Sequence, residues 1–98
     1  MPSATLSQRC LAEFVGTALF LTIILKSGGD KYIVVAGLLA AILVGGDVSG
    51  GHFNPAVTIM TAFNTNDQKV RDQSLYYILA QILGALTAVY AVNNLLNA

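Results

Sequence analysis

The residues whose types and spacing could do chemistry lie together in Ser49-Gly50-Gly51-His52-Phe53-Asn54-Pro55-Ala56-Val57-Thr58, a polar, glycine-rich turn inside an otherwise apolar chain. Asp47 and His52 suggest a catalytic pair or part of a metal site, but no third ligand stands at a recognisable spacing and no nucleophile motif accompanies them. No enzyme activity, metal or cofactor is therefore expected. The other chemistry is hydrogen bonding to a solute. Asn54 before Pro55 reads as a helix start, since Asn is a preferred N-cap and Pro loses nothing at the first helical position. If the Asn54 side-chain oxygen caps the N–H of Ala56 or Val57, its NH₂ stays free to donate into a cavity. The helix N-terminus adds roughly half a positive charge at the same spot, which disfavours cations. It could also attract an anion, but no Lys or Arg lies between Lys31 and Lys69.

The helix begun at Pro55 can run to about Phe63, where Asn64-Thr65-Asn66-Asp67 stops it. At 1.5 Å per residue it is roughly 13 Å long, under half of a ~30 Å hydrocarbon core. A half-length helix after irregular backbone is viable at membrane depth only where protein buries it or where it lines a watery cavity. The elements that must position it are three longer apolar segments. The first helix is expected from about 7 to 25, behind a polar lead-in ending at Arg9, with Glu13 inside it and no removable leader ahead of it. Lys26-Ser27-Gly28-Gly29-Asp30-Lys31 reads as a turn. The second helix is expected from about 32 to 46, with Gly37, Ala41 and Gly45 as a small-residue stripe that permits close helix approach. The re-entrant loop and half-helix then take about 47 to 63, with Asp47 either satisfied by nearby N–H groups or placed at the mouth of a pore. The third helix is expected from about 74 to 95, with Tyr76 and Tyr77 in an aromatic belt, a second stripe at Ala80, Gly84 and Ala88, and Gln81 as an interhelical hydrogen bond.

The stretch SGGHFNPAVT resembles the first Asn-Pro-Ala repeat of the aquaporin and aquaglyceroporin family. Ala12-Glu13-Phe14-Val15-Gly16-Thr17 upstream and Ala80-Gln81-Ile82-Leu83-Gly84-Ala85 downstream resemble the flanking signatures of the same half, in family order. The family carries two such halves in inverted orientation; these 98 residues hold one Asn-Pro-Ala, with no Arg directly after it. The resemblance implies an all-α membrane protein with three transmembrane helices and one re-entrant half-helix. It implies that Glu13 accepts hydrogen bonds from backbone donors near Gly50 to Phe53, where the residues alone also allow an interfacial acid reaching headgroup water. It makes Gln81 a second brace. It also implies that Asn54, Pro55 and Ala56 line a pore with the carbonyls of Gly50, Gly51 and His52 as an accepting rail, and that Val34 stands where the family places a filter aromatic.

Composition fits a multi-pass integral membrane protein: 55% of residues are hydrophobic, 10% are charged and the formal net charge is zero, which removes any case for nucleic acid. The single Cys10 excludes an internal disulfide. With three spans, Arg9, Lys69 and Arg71 fall on one side and Lys26 and Lys31 on the other, almost no positive-inside bias. A chain so weakly oriented could insert both ways, and inverted copies would recreate a two-fold repeat. The expected function is passive permeation of water or a small neutral solute by a homo-oligomer in the lipid bilayer. The alternative is a non-conducting structural or regulatory subunit, or a truncated relic, that associates with a full-length channel.

Overall fold

The computed structural model describes residues 3–96 and is built from four helices: α1 (Leu6–Lys26), α2 (Lys31–Ser49), α3 (Pro55–Phe63) and α4 (Gln68–Asn94). Each start is set by a cap. Thr5 and Gln8 form a reciprocal capping box on α1, Asp30 accepts from the N–H groups of Tyr32 and Ile33, and Asp67 accepts from Lys69. Gly28 and Gly29 turn the chain between α1 and α2 with φ of +64° and +82°. The second helix runs through Ser49, past the expected stop at Gly46. A glycine inside a helix costs only about 1 kcal/mol; the helix ends where Gly50 takes the left-handed conformation, φ +95°, and donates to Gly46. Likewise α4 starts six residues before the expected 74, because Asp67 caps it and the polar segment after it can continue a helix.

α1, α2 and α4 are each long and apolar enough to cross a membrane, with mean hydropathies of 1.5, 2.0 and 1.7. At 1.5 Å per residue they span roughly 28–40 Å. α3, with nine residues, does not. Two contacts show that α1 and α4 run parallel: Arg9 Nη2 donates to Gln73 Oε1 near their starts, and Lys26 Nζ to the Leu96 carbonyl at their ends. α2 runs back along α1, Gly37 against Ile23 and Gly45 against Ala12. Gly84 lets α4 close on Phe14 and Thr17 in the same way, since a Cβ there would lie 2.9 Å from the Phe14 carbonyl oxygen.

The interior is more polar than the surface. The buried hydrophobic residues are Ala41, Phe53, Tyr77, Ala80 and Ala88, whereas Glu13, Thr17, Ser27, Ser49, Thr58, Ser74 and Gln81 are buried and polar. Leu39, Leu43, Leu79, Leu83 and Leu86 face outward. That inversion suits a protein whose solvent is lipid.

Candidate functional site

Glu13 is the centre of the site. It is fully buried, and four donors converge on its carboxylate: Ser49 Oγ at 2.6 Å and the His52 N–H at 3.1 Å on Oε2, the Phe53 N–H at 2.9 Å and Gln81 Nε2 at 2.8 Å on Oε1. α1 thus holds the end of α2, the turn after it and α4 through one side chain. Hydrogen bonds to a carboxylate contribute about 1.5–3 kcal/mol each.

Gln81 carries the second arm of the network, its Nε2 also donating to Thr58 Oγ1 at 2.8 Å. The same hydroxyl oxygen lies 2.9 Å from Nδ1 of His52, so the half-helix is tied both to α4 and to its own preceding turn. Tyr77 closes the cluster. Its hydroxyl donates to the Ser49 carbonyl at 2.6 Å, and its ring meets the His52 imidazole edge-on at 5.1 Å. Tyr77 therefore does not sit in an aromatic belt: it is 1% exposed, while its neighbour Tyr76 faces outward. An aromatic pair at a helix start gives no sign of which ring points inward.

Phe53 is the anchor that residue types alone did not reveal. Its φ of +51° is unusual for a bulky residue and costs on the order of 1–3 kcal/mol. Two contacts offset that strain. The Phe53 N–H is bound to Glu13, and the buried ring fills a slot over Gly16, where a Cβ would come within 2.1 Å of Cε1. Gly16 and Phe53 both stood in view in the sequence, but 37 positions apart, so the slot emerges only once α1 and the turn are packed.

This anchored turn delivers Asn54 to the head of α3. Asn54 Oδ1 accepts from the Ala56 N–H at 2.8 Å, and Pro55 occupies the first helical turn. Among the described residues nothing accepts from the Asn54 NH₂, and nothing donates to the carbonyl oxygens of Gly50, Gly51, His52 or Phe53. Asn54, Pro55, Ala56 and Gly50 are exposed; Gly51 and His52 are half-buried. Asn54 and Pro55 line a half-open pocket of about 450 Å³ against α1 and α4. Val34, half-buried in the first turn of α2, is not part of that wall. Asp47 belongs to the last turn of α2 instead of a loop and, with Arg9, lines a separate open groove between α1 and α2. No group of three or more metal-ligating side chains occurs among the described residues.

The family model for the major intrinsic protein matches residues 1–98. The chain is 37% identical to the glycerol uptake facilitator protein-like 6 of Lactiplantibacillus plantarum, over 93% of this chain and 45% of the relative. It is 35% identical to the aquaglyceroporin AqpS of Rhizobium meliloti, over 88% and 42%, and 38% identical to the lens fiber major intrinsic protein of Gallus gallus, over 86% and 36%. The chain spans less than half the length of each of these relatives. No solved structure shows a significant match. With three spanning helices, a half-helix and a match along its whole length, the chain is an integral membrane protein and belongs to the major intrinsic protein family.

Proposed function

We propose that the chain passes water or a small neutral solute across the membrane, and that two or more copies complete the pore. The observation that carries this reading is the pairing of a free Asn54 NH₂ donor with four carbonyl oxygens that have no donor of their own, Gly50 to Phe53. A solute that both donates and accepts finds both partners there, in place of the hydrogen bonds it leaves in water. The donor is fixed, because its oxygen is committed to Ala56. A fixed donor orients what passes, while roughly half a positive charge at the head of α3 disfavours cations. The names of the relatives, a glycerol facilitator and an aquaglyceroporin, support both a water and a polyol arm.

Assembly follows from cost. Unpaired carbonyls and an exposed Asn54 cannot face hydrocarbon, where each unsatisfied group costs several kcal/mol. A second half-repeat would cover them, and an inverted copy of this chain supplies one. Such a pair brings two Asn54 caps and two half-helix heads together at the midplane. The test is the osmotic shrinkage of liposomes holding only this chain, beside Asn54→Ala and empty liposomes. The expected result is shrinkage faster than empty liposomes that slows in the variant. A folded, inserted wild type no faster than empty liposomes would overturn the reading.

A further inference from the structure

A neutral imidazole carries its proton on one of two nitrogens; the nitrogen that bears it donates and the other accepts. For His52, the chain's single histidine, the hydrogen bonds behind the ring make the choice. They start at Glu13. Its carboxylate can only accept, so the Gln81 amide presents Nε2 to Oε1 at 2.8 Å. The second Nε2 hydrogen goes to Thr58 Oγ1, also at 2.8 Å, which makes that hydroxyl an acceptor towards α4. Thr58 is fully buried and has one hydrogen of its own to place.

Two acceptors lie within its reach. The Asn54 carbonyl is 3.4 Å away and already takes the N–H groups of Val57 and Thr58 at 3.1 and 3.2 Å, one for each lone pair. Nδ1 of His52 is 2.9 Å away and has no other partner among the described residues. The shorter, unshared contact takes the hydrogen. Nδ1 then offers its lone pair, and the ring proton sits on Nε2.

Nε2 faces the other way. No described residue accepts from it, yet it is not among the buried polar atoms without a partner, which are Arg9 Nε, Thr17 Oγ1 and Gln81 Oε1. It is therefore open to the surroundings. The Tyr77 ring holds the imidazole in place, edge-on at 5.1 Å, and a Cβ on Gly50 would lie 3.7 Å from Nε2. The Nε2–H thus stands beside exposed Gly50, where the row of carbonyls without donors begins.

We propose that Glu13, Gln81 and Thr58 form a hydrogen-bond relay that fixes the His52 tautomer and makes Nε2–H a second donor for a small neutral solute, in addition to the Asn54 NH₂. The relay stands on the distances alone; the solute as acceptor rests on the permeation reading above. Gln81 and Thr58 are positioning residues, acting through the imidazole.

The test is nitrogen-15 NMR of the full chain, histidine-labelled and without a histidine tag, in lipid bilayers at about pH 8, above the ~6.5 of an ordinary imidazole. The expected spectrum of the wild type shows a proton on Nε2 and a hydrogen-bonded, unprotonated Nδ1. The Nδ1 signal should move towards that of a free ring nitrogen in Thr58→Val and stay in place in Thr58→Ser. A proton on Nδ1, a mixture of both tautomers, or an Nδ1 signal indifferent to Thr58→Val would overturn the relay; should Thr58→Val not fold, the wild-type spectrum decides. Magnetisation transfer from water to the carbon-bound ring hydrogens of His52 tests the outward face. Transfer is expected, and its absence would overturn Nε2–H as a donor to solute. Neither readout depends on flux. The wrong tautomer in a conducting chain sinks the relay alone, and the expected tautomer in a chain that does not conduct sinks the permeation reading alone.

Discussion

Glu13 gathers donors from α2, the turn and α4 onto one buried carboxylate. Replacing one oxygen by an NH₂ would therefore turn acceptor into donor in a ring of donors. Glu13→Gln is expected to leave at least one of them unpaired, at about 1–3 kcal/mol. Amide exchange at His52 or Phe53 in the bilayer should accelerate by about tenfold or more; an unchanged rate would mean the turn is held by something else. At this scale the sequence was partly legible. Asn54 before Pro55 announces its own cap, and an acid inside an apolar helix demands partners. Ser49 and Thr58 were not legible as partners, because a Ser or Thr hydroxyl in a helix ordinarily bonds its own backbone, which both also reach here, and carries no mark of a distant partner. Thr61 and Ser74 do bond back in that way.

Among the elements, α3 and the turn before it depend on close approach elsewhere. Gly16 makes the slot for the Phe53 ring, and Phe53 in turn holds a backbone conformation that sets where α3 begins. Gly16→Ala is expected to destabilise the fold by about 1–3 kcal/mol by pushing that ring aside. Gly46→Ala, whose new methyl would meet only Ile42 at 3.2 Å, is the control and should cost little. Unfolding midpoints in detergent compare the two; equal effects would remove the slot from the account. The periods and caps made the helices visible in the sequence, and Gly37, Ala41 and Gly45 are indeed buried on α2. The end of α2 was hidden because Gly45, Gly46, Gly50 and Gly51 are all glycine, and only the packed turn decides which of them goes left-handed.

For the whole molecule, the apolar exterior and polar interior dictate a lipid surround, but one face of the turn keeps unpaired polar backbone that lipid cannot satisfy. The proposed inverted pairing needs insertion in both orientations, and the three-against-two split of loop cations sets little bias against it. In a Cys10→Ser background, single cysteines placed at the exposed positions Gly28 and Asn66 should each be labelled from both sides of the membrane. Labelling of each from one side only would exclude inverted pairing. What completes the pore was least legible, since an interface with another copy leaves no mark in the order of residues within one. The dependence of liposome water flux on protein density tests the central claim most directly. If paired copies conduct, flux above empty liposomes rises as roughly the square of density at low density, then linearly once pairs predominate. Flux that is absent at every density, with the protein folded and inserted, would contradict permeation, and flux linear from the lowest density would contradict reversible pairing.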